Sequence, residues 1–113
     1  MPRQTVLYDL YGTANTSGAA TLRLNRLKRG QLLCVQCVST RNDDNSKVKA
    51  LVGIDRAGAF YELVTIYCAE KTYTYAFPAK IWLDSDCQLE IRITGAGASG
   101  KVYAWVYGYL QEP

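Results

Sequence analysis

Hydrophobic and polar residues alternate along most of this chain, and turn-forming residues interrupt the alternation at short intervals. A side-chain period of two is typical of β-strands. We expect eight or nine strands and no helix longer than a single turn near Leu22, Leu24 and Leu27. The predicted strands span residues 5–11, 20–24, 32–39, 47–55, 60–68, 71–77, 87–94 and 102–110, with a stop at Pro78 and a short extension at 81–83.

This strand count predicts an all-β chain folded as an antiparallel two-sheet sandwich or a barrel. A jelly roll of about eight strands fits the count best. With 113 residues, the chain has the length of a single domain, which we expect to span residues 1–113. The polar stretch at 41–46 and the glycine-rich stretch at 95–100 are expected to be loops, the second a hairpin.

The last strand carries the most informative pattern in the sequence. Aromatic residues occupy every second position, and small or aliphatic residues lie between them: Tyr103, Trp105, Tyr107 and Tyr109 alternate with Val102, Ala104, Val106, Gly108 and Leu110. The aromatic side can be the inner face of a core, a surface that stacks sugars or bases, or a protein–protein contact. Because a tyrosine hydroxyl needs a partner when it is buried, the three tyrosines favour an interface over a closed core.

Composition narrows the range of functions. Hydrophobic residues make up 49% of the chain, which is typical of a globular protein, and the net charge of +3 is too small to indicate nucleic-acid binding by itself. No apolar run has the length of a membrane span, and the N-terminus lacks the apolar segment of a signal peptide. We therefore expect synthesis in a host cytoplasm and four free thiols rather than two disulfides.

Motifs for chemistry are weak. Histidine is absent, so the commonest general base and metal ligand are missing and we expect no enzymatic activity. The GAGASGK stretch at 95–101 matches a phosphate-binding string, but strand periodicity follows it where a helix is required. The acidic residues of 43–45 depart from a calcium-loop spacing, and Asp84 and Asp86 fit an ordinary turn.

The cysteines also argue against a cofactor. Cys34 and Cys37 form a CxxC, with Cys68 and Cys87 further along the chain. On a regular strand, positions three apart point to opposite faces, so a single zinc ion could not bind both thiolates. We predict that these are small core residues and that the protein holds no metal or cofactor.

Basic residues are densest at 23–29, where Arg23, Arg26, Lys28 and Arg29 occur with no acidic residue between positions 10 and 42. Such a cluster is commonly a solvated loop. It could also contact an acidic protein surface or, less in keeping with the charge, a nucleic acid.

Residues 83–110 resemble the small jelly-roll decoration, or cement, proteins of tailed bacteriophage capsids. The resemblance rests on the acidic turn Asp84-Ser85-Asp86, the strand end Ile93-Thr94-Gly95 and the final Val106-Tyr107-Gly108-Tyr109; the LKRGQL stretch at 27–32 is similar too. It implies a protein that binds where major capsid subunits meet, as a dimer or trimer, and stiffens the shell.

We therefore expect a non-enzymatic virion protein on the capsid surface, whose partners are its own copies and a major capsid protein. The candidate interface residues are Tyr103, Trp105, Tyr107 and Tyr109, together with Arg26, Lys28 and Arg29. The alternative is a carbohydrate-binding module in which the same aromatic strand stacks on sugar rings, so a glycan partner stays open.

Overall fold

The structure is a computed structural model that describes residues 3–43, 48–69 and 73–113. Within this part the chain forms eight β-strands and no helix. The strands are Arg3–Thr13 (β1), Ala20–Arg23 (β2), Leu32–Asn42 (β3), Val48–Arg56 (β4), Ala59–Ala69 (β5), Tyr75–Leu83 (β6), Cys87–Thr94 (β7) and Lys101–Gln111 (β8). Accordingly, the described residues contain no helix long and apolar enough to cross a membrane.

The strands pair in a nested order. β1 pairs with β8, β2 with β7, β3 with β6 and β4 with β5, all antiparallel, as in one long hairpin whose tip is the β4–β5 turn. At that tip Ala57 and Gly58 both have positive φ, 54° and 83°, which gives the twist that favours a two-residue hairpin turn. Rolling the hairpin places β8 beside β3 and β7 beside β4.

Two four-stranded sheets result, in the orders β1-β8-β3-β6 and β2-β7-β4-β5, called here the first and the second sheet. This is the antiparallel jelly-roll sandwich that the strand pattern predicts, so the expected fold class is confirmed. The core lies between the sheets. It is built from the inward positions of both sheets, among them Val35, Val38, Val52, Ile91 and Val106, none of which is exposed.

Pro78 does not end a strand, contrary to the sequence prediction. β6 runs through it from Tyr75 to Leu83, and Pro78 lies opposite Cys37. Proline is tolerated there because β6 is an edge strand and the pairing with β3 is already irregular between Val35 and Cys37. Tyr73 was predicted to share this strand, but it precedes it and is exposed; Lys71, the predicted start, lies outside the described residues.

β3 is also longer than predicted. It continues through Arg41 and Asn42, which the sequence analysis assigned to a loop, because these residues pair with Tyr103 and Val102 of β8. Of the remaining polar stretch the structure describes Asp43; residues 44–47 lie outside the described part, including the predicted start of β4 at position 47.

The prediction of a hairpin at the glycine-rich stretch 95–100 is wrong. β7 and β8 belong to different sheets, and the stretch crosses from one sheet to the other. It is tied to the β1–β2 loop by backbone hydrogen bonds: Ala14 N donates to Gly100 O at 2.8 Å, and Ala96 N donates to Gly18 O at 3.0 Å. Ala14 and Ala96 are buried in the core cluster. The strand that follows confirms that these glycines do not precede a helix.

Candidate functional site

The two sides of β8 have different surroundings, one in the core and one on the outer face of the first sheet. Val102, Ala104 and Val106 are fully buried and face the second sheet. The four aromatic residues of the predicted interface lie on the other side and form part of the outer face of the first sheet: Tyr103, Trp105, Tyr107 and Tyr109. The aromatic side of β8 is therefore not half of the core.

Strand register shows which residues accompany these rings. In one row across the sheet Thr5, Tyr109, Cys34 and Trp82 lie side by side, and in the next Leu7, Tyr107, Cys37 and Pro78 do. No position in these two rows is charged; Lys80 lies on the edge strand between Trp82 and Pro78, opposite the irregular step of β3. We call these two rows the apolar half of the outer face.

The apolar half is open to solvent. Leu7 and Trp82 are each 62% exposed, and Tyr107 is 38% exposed. Leu7 lies beside Tyr107, and Trp82 lies on the opposite edge strand with Cys34 between it and Tyr109. A monomeric protein commonly scatters single apolar residues over its surface, whereas several large exposed apolar side chains on one sheet face are typical of a contact site. Leu7 and Trp82 are not among the residues that the sequence predicts for the interface, because their place on the same sheet face as the β8 rings depends on strand pairing.

The other half of the outer face combines aromatic rings with charges. Tyr11 packs against Tyr103 with ring centroids 5.2 Å apart, and the rings of Tyr103 and Trp105 are nearly parallel, at 10°, with centroids 6.2 Å apart. Beside them Arg41 Nε and Asp43 Oδ1 form an ion pair at 2.7 Å. Arg41, Asp43, Tyr103 and Trp105 line an open depression of about 250 Å³, called here the Arg41 hollow.

Two tyrosines on this face have perturbed acidity. Partial burial, followed by the charge of Asp43 and a hydrogen bond to it, raises the pKa of Tyr103 above its ordinary value of 10.0. The pKa of Tyr107 is raised chiefly by a hydrogen bond to Tyr109, whose ring meets that of Tyr107 edge-on. The surroundings of both phenols therefore favour their neutral forms.

The predicted basic cluster lies at the Tyr109 end of the first sheet. Arg26, Lys28 and Arg29 are exposed in the loop between β2 and β3. This loop contacts the end of the chain, because Gln31 Nε2 donates to the carboxylate of Glu112 at 2.9 Å and 3.0 Å. At the same end the Arg3 guanidinium lies 4.8 Å from the centre of the Tyr109 ring. Basic groups thus border the apolar half.

Cys34 and Cys37 do not point to opposite faces, so that part of the sequence argument was wrong. The irregular step between Val35 and Cys37 inserts Gln36, and Cys34 and Cys37 consequently lie opposite Tyr109 and Tyr107, on one face. Cys34, Cys37 and Cys87 are free thiols, and the side chain of Cys68 lies outside the described part. Among the described residues no three side chains of metal-binding type cluster.

The remaining candidates take ordinary structural roles. Burial, and then the charge of Asp84, raises the pKa of the Cys87 thiol, which lowers its reactivity. Asp84 Oδ1 accepts a hydrogen bond from Asp86 N at 2.9 Å, which is turn chemistry and not an acid–base pair.

The outer face of the second sheet has a different character. Glu90 is only 1% exposed although it points away from the core, and its two carboxylate oxygens accept hydrogen bonds from Arg23 Nε at 3.0 Å and Arg92 Nε at 3.2 Å. The Arg92 guanidinium also lies 3.8 Å from the centre of the Phe60 ring. Arg23 is thereby held on the second sheet by Glu90, apart from the rest of the predicted basic cluster.

These observations define an eight-stranded jelly-roll sandwich whose first sheet has an aromatic outer face. Among solved structures it is similar to the virus-like particle of the extra small virus of the giant freshwater prawn Macrobrachium rosenbergii (TM-score 0.56, 15% identity, 99% of this chain and 80% of that chain covered). It is also similar to a Bacillus endospore appendage that forms disulfide-linked pili (TM-score 0.54, 13% identity, 98% of this chain and 87% of that chain covered). A third similar structure is the Drosophila NLP core, whose structure provides insight into pentamer formation and histone binding (TM-score 0.50, 15% identity, 95% of this chain and 99% of that chain covered).

At these identities the likeness shows a shared fold. The three structures include a viral particle protein and self-assembling proteins, and none of them is a phage decoration protein. The sequence matches no protein-family model and no curated protein.

Proposed function

We propose that this protein is a non-enzymatic structural component of a phage particle, which binds the capsid shell as a decoration, or cement, protein. Its partners are further copies of itself, as a dimer or trimer, and a major capsid protein; its place is the capsid surface. The observation that carries this proposal is the apolar half of the outer face, with Leu7 and Trp82 each 62% exposed. The use of the same fold in the particle of a prawn virus supports it.

In the proposed mechanism the apolar half is buried against a partner, and basic side chains at the edge of the contact add electrostatic attraction. Fully burying a large apolar side chain contributes on the order of 1.5–3 kcal/mol. Leu7, Trp82 and Tyr107 can therefore supply most of the affinity of a modest contact. Arg26, Lys28 and Arg29 lie at one end of the sheet, where they can pair with acidic loops of a shell and set the orientation of docking.

The test uses tagged protein expressed in cells that are producing phage. Wild-type chain should co-purify with intact particles through a density gradient. A Leu7→Glu, Trp82→Glu variant should stay in the soluble fraction, because both positions are exposed in the folded chain and the charges act on the contact alone. The matched control is Tyr61→Glu, Leu63→Glu, an exposed aromatic–leucine pair on β5 of the second sheet. Wild-type chain that never enters particles contradicts the proposal.

A second candidate function is carbohydrate binding. It is favoured by the nearly parallel rings of Tyr103 and Trp105, since flat aromatic side chains at a surface are suited to stacking on the apolar face of a sugar ring. Saturable binding of an oligosaccharide by the isolated protein would support it, and a protein that binds none would contradict it.

A further inference from the structure

We propose that the Arg41 hollow is a binding site for one pyranose unit of a neutral saccharide. This inference rests on the second candidate function, carbohydrate binding, and gives it a single location, separate from the apolar half. It assigns the stacking platform to Trp105 and Tyr103 and the recognition of hydroxyl groups to Arg41 and Asp43.

The hollow has the size and the wall chemistry that a sugar ring requires. Its volume is about 250 Å³, it is open to solvent, and two of its four lining residues present nearly parallel rings. Binding sites for small molecules combine apolar or aromatic surface with a few fixed polar groups. A pyranose has the matching pair of surfaces, one of C–H groups and a rim of hydroxyls.

The polar wall offers donors and acceptors together. The side chains of Arg41 and Asp43 are 38% and 28% exposed, so the ion pair between them is partly removed from water and still reachable. Guanidinium N–H groups can donate to one hydroxyl while a carboxylate oxygen accepts from its neighbour, which is the arrangement that adjacent sugar hydroxyls satisfy.

The polar wall is also held in place before a ligand arrives. Asp43 N donates to Lys101 O at 3.3 Å, which ties the residue to the start of β8. Asp43 Oδ1 also accepts a hydrogen bond from Arg41 Nε at 2.7 Å. A site that is ordered in advance loses less conformational freedom when it binds a ligand.

Nucleic-acid bases also stack on aromatic rings, and the charge of the site decides between a neutral saccharide and a nucleic acid as the ligand. The Arg41–Asp43 pair is neutral as a whole, and of the neighbouring charges the Lys101 cation acts on Tyr103 while Asp9 lies opposite Trp105. The Asp43 carboxylate would repel a phosphate group beside the platform. Binding of single-stranded nucleic acid normally combines stacking with an uncompensated positive groove. The chemistry of the hollow therefore favours neutral hydroxyl-rich ligands.

The experiment uses the two tryptophans as separate reporters. In Trp82→Phe the remaining tryptophan is Trp105, in the hollow; in Trp105→Phe it is Trp82, in the apolar half. Each variant is titrated with a panel of neutral oligosaccharides built on glucose, galactose, mannose and xylose, and with an oligothymidine. We expect at least one oligosaccharide to change Trp105 fluorescence saturably in Trp82→Phe, and we expect no response in Trp105→Phe, which lacks the tryptophan of the platform.

Asp43→Asn in the Trp82→Phe background should then weaken that binding about tenfold or more, because the acceptor for a hydroxyl loses its charge. Asp86→Asn, in the exposed turn before β7, is the matched control and should leave affinity unchanged. A saccharide response that comes from Trp82, or that survives Asp43→Asn, overturns the location and leaves carbohydrate binding standing. No saccharide response in any variant, or a response to oligothymidine alone, overturns both.

Discussion

At the scale of single residues, Glu90 is a carboxylate on an outward-facing strand position that is nevertheless shielded from water. Arg23 and Arg92 each donate to one of its oxygens, and Phe60 packs on Arg92. The alternation along β7 predicts the outward direction of Glu90 but not its burial, because burial depends on side chains from β2 and β5. The cluster joins three strands of the second sheet through one carboxylate.

We predict that Glu90→Gln lowers the free energy of unfolding by about 1–3 kcal/mol, because two guanidinium groups then share a buried neutral partner. Urea denaturation followed by circular dichroism measures the change. Glu62→Gln, at an exposed position on β5, is the control and should change stability by less than about 0.5 kcal/mol. Equal losses in the two variants would show that Glu90 is not a special position.

Tyrosine ionisation is a second residue-scale property. The pKa values of Tyr8, Tyr103 and Tyr107 are all raised above 10.0, so the folded state favours their neutral forms more than the unfolded chain does. Their contribution to stability is present below pH 10 and is lost as the pH rises through the raised values. We predict a loss of stability above about pH 10. Tyr103→Phe should make this loss less steep.

Denaturant midpoints measured between pH 7 and pH 11 check this dependence. The quantity compared between variants is the change of the midpoint with pH. Tyr73→Phe is the control, since Tyr73 is 64% exposed and precedes β6. A slope that Tyr103→Phe leaves as steep as in the wild type would contradict the assignment.

At the scale of elements, β8 shows which features an alternating strand pattern predicts, namely the two faces of a strand, and which it does not, namely irregular pairing with a neighbouring strand. The alternation of 102–110 correctly predicts one aliphatic and one aromatic face. The bounds of β7 were also predicted, because its period is regular and a turn at Asp84 precedes it. The inserted Gln36 could not be predicted, since a bulge is a property of the pairing between β3 and β8 and not of either strand alone. The same pairing places both cysteines of the CxxC on one face.

Gly108 is the residue of β8 that this bulge requires. A Cβ at position 108 would collide with the carbonyl oxygen of Cys34 and lie 3.0 Å from Val35 Cα. We predict that Gly108→Ala destabilises the fold by about 1–3 kcal/mol, because backbone must move to make room. Chemical denaturation measures the effect. At Gly12 the nearest atom is Leu22 Cδ2 at 2.6 Å, on a flexible side chain, so Gly12→Ala should cost less. The reverse order would contradict the role given to the bulge.

At the scale of the whole molecule, the two outer faces of the sandwich differ in kind. The second sheet carries the Glu90 ion-pair cluster and exposes Tyr61, Leu63 and Tyr67 along its edge strand β5, whereas the first sheet exposes an apolar half and the Arg41 hollow. Sequence analysis identified the aromatic strand as the candidate site but not its companions. Leu7 comes from the first strand of the chain and Trp82 from the sixth, so only the jelly-roll pairing places them on one face with Tyr107 and Tyr109, Leu7 beside Tyr107 and Trp82 across Cys34 from Tyr109. The function proposed above depends on that assembled face.

The molar mass of the protein in solution, measured by light scattering over a range of concentrations, tests this dependence most directly. Wild-type protein should have two or three times the chain mass of 12.6 kDa, and Leu7→Glu, Trp82→Glu should be a folded monomer. The Tyr61→Glu, Leu63→Glu control should keep the wild-type mass. A wild-type protein that stays at 12.6 kDa at every concentration, or a Leu7→Glu, Trp82→Glu variant that keeps the larger mass, would contradict the account.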